Sequence, residues 1–127
     1  MDYGRGTETI LLVEDEEQLR KVVIELLKQI GYNVLSAANG KEAIGVAEAY
    51  SEDIHLLITD VLMPGIDGAE LAKLLCGVRP GLKVIYISGY TDTCLAPEGV
   101  LPPGTVLVNK PFSVRALSAK IRELLDG

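Results

Sequence analysis

The chain has 127 residues, and 48% of them are hydrophobic. This length and composition suffice for the buried core of one compact domain, and the length leaves no room for a second folded domain. With 12 basic and 18 acidic side chains the net charge is −6, which argues against direct binding to nucleic acid or to an acidic membrane surface. Its apolar runs are far shorter than the roughly 20 residues that cross a bilayer, and residues 1–6 lack a secretory apolar segment. We therefore expect a cytoplasmic protein.

Residues 1–8 have no hydrophobic periodicity, and we expect a flexible lead-in or linker there, followed by one domain over 9–127. From Thr9 onward, short apolar runs alternate with amphipathic stretches. Such runs are typical of parallel strands that are covered on both faces. The predicted strands are Ile10–Val13, Val34–Ala37, Ile54–Thr59, Val84–Ile87 and Val106–Val108.

The amphipathic stretches predict helices, each with an apolar stripe at helical spacing. Gly31 should stop the first helix, Asn39 with Glu42 forms a capping box for the second, and Asp67 with Glu70 repeats that box for the third. The three stripes are Leu19, Val22, Val23, Leu26, Leu27 and Ile30; Ala43, Ile44, Ala47 and Tyr50; and Leu71, Leu74, Leu75 and Val78.

The segment from Tyr90 to Gly104 should hold a fourth helix, but it contains three prolines, and proline inside a helix costs roughly 3 kcal/mol. We therefore expect a short or irregular helix there. In the last helix, Ser113 is the predicted cap and Phe112 packs on Leu117. Its stripe is Leu117, Ile121, Leu124 and Leu125.

Alternating strands and helices predict an α/β fold: one doubly wound, five-stranded parallel sheet with helices on both faces. Ligands of such sheets bind beyond the carboxyl ends of the strands. The residues that follow the central strands therefore matter most. They are Glu14 and Asp15, Asp60, Ser88, and Asn109 with Lys110.

Three carboxylates gathered at one edge repel one another unless a cation lies between them. Mg²⁺ suits the site because it prefers oxygen ligands and binds one or two carboxylates together with phosphate oxygens. A carboxylate beside such an ion can attack a phosphoryl group, and Asp60 is the candidate nucleophile. Lys110 and the Ser88 hydroxyl could stabilise the charge on the transferred group.

Four motifs in this order resemble the receiver domain of two-component response regulators over residues 9–125. They are LLVEDE (11–16), TDVLMPGIDG (59–68), ISGY (87–90) and KPF (110–112). The resemblance implies a flavodoxin-like strand order of 2-1-3-4-5. It also implies a domain that catalyses its own phosphorylation and dephosphorylation without acting as a turnover enzyme.

By the same resemblance, Asp60 accepts a phosphoryl group from the phosphohistidine of a histidine kinase or a histidine phosphotransfer domain. Mg²⁺ is bound by Glu14, Asp15 and Asp60, and by the backbone carbonyl of Leu62. Ser88 donates to a phosphoryl oxygen, and Lys110 pairs with the phosphoryl group. These roles are expectations for the present chain.

The sequence departs from the family pattern at two sites. Glu14 replaces the more common Asp, so one metal contact would use a longer side chain or a water. Leu107 replaces an aromatic residue that moves on phosphorylation in many members, which argues against that switch. Together with the proline-containing segment 90–104, it also weakens the inference that phosphorylation drives dimerisation through the fourth helix, the fifth strand and the last helix; the oligomeric state stays open. His55 is expected to be exposed at the entrance of a strand, and Cys76 and Cys94 to be reduced thiols.

The sequence leaves two contexts open for the domain and allows two other functions to be compared. The chain is either a free-standing receiver or, as we favour from its 6–15 and 88–90 motifs, the receiver of a hybrid sensor histidine kinase. A pseudo-receiver that docks a kinase without phosphorylation is the main alternative, although such proteins usually lose an acidic residue or the lysine. An aspartate-dependent phosphatase would need a second Asp where the chain has Leu62.

Overall fold

A computed structural model describes residues 8–60, 68–88, 106–109 and 114–126. The strands are β1 (Thr9–Val13), β2 (Asn33–Ala37), β3 (Leu56–Asp60), β4 (Lys83–Ser88) and β5 (Val106–Asn109). The helices within the described ranges are α1 (Glu17–Gln29), α2 (Gly40–Ala49), α3 (Gly68–Val78) and α4 (Val114–Asp126). None of these helices combines the length and the apolar character needed to cross a membrane.

All five strands are parallel and form one sheet in the order β2-β1-β3-β4-β5. This confirms the predicted doubly wound, flavodoxin-like topology. The strand order reverses between β1 and β3, where Val13 lies opposite Thr59. The next residue along each strand is acidic, Glu14 after β1 and Asp60 at the end of β3, so the topology alone brings two carboxylates to one edge.

The central strands are buried on both faces, as their continuous apolar sequences predict. Alternate residues enter different cores: Leu11 of β1 packs with α2 and α3, whereas Leu12 packs with α1 and α4. The helices contribute buried residues at a spacing of four. These pairs are Val23 and Leu27, Ala43 and Ala47, Leu71 and Leu75, and Leu117 and Ile121.

The helix ends follow local chemistry where the structure describes them. The Glu42 amide donates to Asn39 Oδ1 at 2.8 Å, and Glu42 Oε1 accepts from the Ala38 amide at 2.8 Å, which confirms the predicted capping box. Gly31, just after α1, has a φ of 103°, a conformation that favours glycine. Asp67, Phe112, Ser113 and the 90–104 segment lie outside the described residues.

Three residues of the predicted apolar stripes are exposed. Val22 is 53% exposed, Leu74 48% and Val78 72%. Leu74 and Val78 lie on the flank of α3 that faces α2, and the two helices leave a groove of about 400 Å³ between them. Leu71 and Leu75 of the same stripe are buried in the core, whereas Leu74 and Val78 line this groove at the surface.

His55 was expected to be exposed, and this is wrong, because its side chain is half-buried. The Thr9 amide donates to its Nδ1 atom at 3.1 Å. The imidazole therefore provides an acceptor for the first strand residue of β1, at the end of the sheet opposite the three carboxylates.

Arg122 of α4 forms hydrogen bonds at the same end of the sheet, where β1 and β2 begin. Its Nη1 atom donates to Glu8 Oε1 at 2.8 Å and to the hydroxyl of buried Tyr32 at 3.2 Å, and the guanidinium also pairs with Asp126. Burial raises the pKa of Tyr32, outweighing the opposite effect of Arg122. The Arg122 hydrogen bonds lower the pKa of Asp126.

The raised pKa of Tyr32 predicts a loss of stability at alkaline pH. The contribution of Tyr32 to the free energy of unfolding is fully present below the ordinary tyrosine pKa of about 10. It is lost as pH rises through the higher pKa of the folded state, because the unfolded chain releases the Tyr32 proton first. Urea midpoints measured as the pH is raised from about 9 to above 10 should fall less steeply for Tyr32→Phe than for the wild type. Equal slopes would contradict the assignment.

Candidate functional site at the carboxyl ends of the strands

Three acidic side chains converge beyond the carboxyl ends of β1 and β3. One carboxylate oxygen from each of Glu14, Asp15 and Asp60 lies within 4.8 Å of the other two. Glu14 is only 1% exposed and Asp60 only 4%, whereas Asp15 is exposed. The predicted convergence of these three residues is confirmed.

The sheet itself places the two buried carboxylates. The Glu14 amide donates to the Ala37 carbonyl at 3.1 Å, which extends the contact between β1 and β2 by one residue. Asp60 is still paired with Ile87 of β4. Fully buried Thr59 donates from Oγ1 to the Asp60 carbonyl at 3.1 Å. Both acidic residues are therefore held by strand geometry.

The turn from β1 into α1 adds two contacts to Glu14. Its Oε2 atom accepts a hydrogen bond from the Glu16 amide at 3.0 Å, and its carbonyl accepts one from Arg20 Nη1 at 2.8 Å. Sequence reasoning did not single out Arg20. The available signal was its position in the first turns of a helix, where the helix dipole disfavours a cation.

The chemistry of this group fits a hard divalent cation. All three side chains offer carboxylate oxygens, which Mg²⁺ prefers, and no His or Cys belongs to this set, so a soft metal is not favoured. Taking carboxylates out of water beside other carboxylates is costly unless a positive charge compensates. Glu14, Asp15 and Asp60 could therefore hold Mg²⁺ together.

The structure describes the other predicted site residues only in part. β4 ends at Ser88 and β5 at Asn109, and these two residues lie opposite each other at the same edge of the sheet as Asp60. For Ser88 and Leu107 the structure describes only the backbone. Leu62 and Lys110 lie outside the described residues, so their predicted roles stay predictions.

The family model for the response regulator receiver domain matches residues 10–122. The chain belongs to this family. The receiver domain is 34% identical over 116 residues to the response regulator receiver protein CpdR of Brucella abortus, covering 91% of this chain and 95% of that protein. It is also 34% identical over 121 residues to the sensor kinase CckA of the same organism. That match covers 95% of this chain and 13% of the kinase, so the chain spans only a small part of this relative.

Solved structures agree with this assignment. The receiver domain of the hybrid histidine kinase CckA is 37% identical, with a TM-score of 0.77 and coverage of 92% of this chain and 98% of that chain. The response regulator TrrA of Thermotoga maritima, solved in complex with Mg²⁺ and BeF, is 29% identical with a TM-score of 0.76, covering 94% of this chain and all of that one (100%). The present chain is thus a two-component receiver domain with an acidic pocket of Glu14, Asp15 and Asp60.

Crowding of the carboxylates predicts that neutralising one of them stabilises the metal-free receiver. Asp60→Asn should raise the free energy of unfolding by about 1–2 kcal/mol, because one like-charge contact at a buried site disappears. Urea unfolding with a chelator measures this effect. Excess MgCl₂ at constant ionic strength should reduce the difference or reverse its sign, because the variant binds the cation more weakly.

The matched control for this prediction is Glu48→Gln, which removes one negative charge at an exposed residue of α2. It should change stability little, with or without the cation. The prediction fails if Asp60→Asn destabilises the metal-free receiver while Glu48→Gln leaves it unchanged.

Proposed function

We propose that this receiver domain accepts a phosphoryl group on Asp60, in a Mg²⁺-dependent transfer from the phosphohistidine of a histidine kinase or a histidine phosphotransfer domain. The observation that supports the proposal is the cluster of Glu14, Asp15 and Asp60 within 4.8 Å at the carboxyl edge of the sheet. The family provides the reaction class. Receiver domains of two-component systems interact with histidine kinases or phosphotransfer partners.

In the proposed reaction, an Asp60 carboxylate oxygen attacks phosphorus, and the bond between phosphorus and the donor imidazole nitrogen breaks. The nitrogen keeps the bonding electron pair, and an aspartyl phosphate forms. Asp60 suits this role because β3 and β4 fix its backbone, so the nucleophile is already oriented when the donor arrives. When bound, Mg²⁺ offsets negative charge on the phosphoryl oxygens.

The remaining residues have supporting roles in this proposal. Glu14 and Asp15 hold the metal together with Asp60, and the Leu62 backbone carbonyl is a further ligand. The Ser88 hydroxyl donates to a phosphoryl oxygen, and Lys110 pairs with the phosphoryl group. The position of Ser88 at the end of β4, next to β3, supports its part in the proposal.

A docking module without phosphorylation finds no support among these observations, because all three acidic residues of the pocket are retained. The matched relatives include a receiver protein of similar length and a large sensor kinase. We propose a cytoplasmic receiver that works with a histidine kinase or phosphotransfer partner, either within a hybrid kinase or on a separate chain.

Phosphorylation by acetyl phosphate tests this function directly. With MgCl₂, intact-mass spectrometry should show one phosphoryl group on the wild type, which is lost after treatment with hydroxylamine because acyl phosphates are cleaved by it. Asp60→Asn should abolish labelling, since an amide oxygen cannot serve as the nucleophile. Chelation of the metal should suppress labelling of the wild type.

Asp53→Asn is the matched control, because it makes the same chemical change at an exposed residue ahead of β3. This variant should be labelled like the wild type. Labelling of Asp60→Asn at the wild-type level, or a wild type that is folded and binds Mg²⁺ but accepts no phosphoryl group from acetyl phosphate or from a phosphorylated histidine kinase, would refute the proposal.

A further inference from the structure

The main chain of Glu14 is held by the neighbouring strand through its amide and by an arginine side chain through its carbonyl. The Glu14 amide donates to the Ala37 carbonyl at 3.1 Å, and the Glu16 amide donates to Glu14 Oε2 at 3.0 Å. Both contacts use a backbone group of the partner residue. The third contact, from Arg20 Nη1 to the Glu14 carbonyl at 2.8 Å, exists only because residue 20 is an arginine.

We propose that Arg20 is a positioning residue for metal binding and phosphoryl transfer, acting through the peptide group that joins Glu14 to Asp15. This inference rests on the proposed function, because it assumes that both carboxylates bind Mg²⁺. Arg20 itself touches neither the metal nor the phosphoryl group in this account.

The peptide group explains how one contact can affect two ligands. The Glu14 carbonyl and the Asp15 amide belong to the same planar unit, so holding the carbonyl also fixes the direction in which the chain enters Asp15. Glu14 is buried and is held by the sheet, whereas Asp15 is exposed. The orientation of Asp15 should therefore depend on Arg20 most.

The position of Arg20 in α1 also supports a positioning role. It is the fourth residue of α1, close to the positive end of the helix dipole, where a cation is disfavoured. The Glu16 N-cap makes no side-chain cap hydrogen bond. The Arg20 guanidinium thus joins the first turn of α1 to the turn that carries the metal ligands, and a charged donor makes a stronger hydrogen bond to a carbonyl than a neutral one.

The charge of Arg20 has an opposite effect, which a test must separate from positioning. A cation near the pocket repels Mg²⁺, so losing the charge alone would tighten metal binding. Arg20 is only half-buried, and solvent and salt screen such a charge. We therefore expect the loss of orientation to dominate, with Mg²⁺ binding weakened by about 3- to 10-fold in Arg20→Gln. This is less than the roughly 10- to 100-fold typical of residues that orient metal ligands, because the lost charge offsets part of the effect.

Mg²⁺ affinity measured by calorimetry at constant ionic strength tests this inference without using phosphorylation. Arg20→Gln removes both the charge and the guanidinium, whereas Arg20→Lys keeps the charge and loses the planar donor group. Arg79→Gln is the matched control. Arg79 is another half-buried arginine that donates to backbone carbonyls, those of Ala47, Tyr50 and Glu52, but it serves the α2–α3 side of the domain.

Positioning predicts weaker Mg²⁺ binding in both Arg20 variants and unchanged binding in Arg79→Gln. It also predicts that Arg20→Gln adds little further loss in an Asp15→Asn background, because both changes act on the same ligand. A purely structural role would add the same loss in both backgrounds and would overturn the inference. Circular dichroism confirms that each variant is folded before its affinity is measured.

The outcomes separate this inference from the proposed function. If the wild type binds Mg²⁺ and Arg20→Gln binds it equally well or more tightly, the positioning role is refuted and the receiver chemistry stands. If the folded wild type binds no Mg²⁺, the proposed metal-dependent function fails, and the inference about Arg20 fails with it.

Discussion

Electrostatic repulsion among three neighbouring carboxylates is the constraint on which the rest of the site depends. Glu14 and Asp60 are almost fully buried, and Asp15 brings a third carboxylate within 4.8 Å of both. Burying like charges together opposes folding. The fold tolerates this cost because strand pairing and packing on both faces of the sheet fix the backbone of β1 and β3 independently of the charges. The result is a preformed site that favours a divalent cation.

Local signals in the sequence were enough to predict most of the fold. The central strands were recognisable because burial on both faces requires continuous apolar residues. The second helix was recognisable because Asn39 accepts from the Glu42 amide and Glu42 accepts from the Ala38 amide just ahead of the helix. The acidic site followed from topology, since a parallel sheet brings the carboxyl ends of its strands together. In each case the deciding interaction was local or followed from the strand order.

The features that the sequence did not predict depend on distances between elements. Helical spacing grouped Leu74 and Val78 with Leu71 in one apolar stripe. It could not indicate that α2 leaves a groove beside Leu74 and Val78. His55 and Arg20 have polar contacts with backbone groups, the Thr9 amide and the Glu14 carbonyl. A backbone partner has no residue type, and neither contact belongs to a recurring local motif such as the capping box of Asn39 and Glu42, so the residue pattern does not mark it. These contacts become visible only when the chain is folded.

The most direct test of this account is to locate a divalent cation in a crystal of the wild-type domain. Mn²⁺ can replace Mg²⁺ at oxygen sites, and its anomalous scattering identifies its position without interpretation of the surrounding density. The account predicts one ion coordinated by oxygens of Glu14, Asp15 and Asp60. An ion bound elsewhere on the domain, or carboxylates that turn away from one another with no ion between them at saturating Mn²⁺, would contradict it.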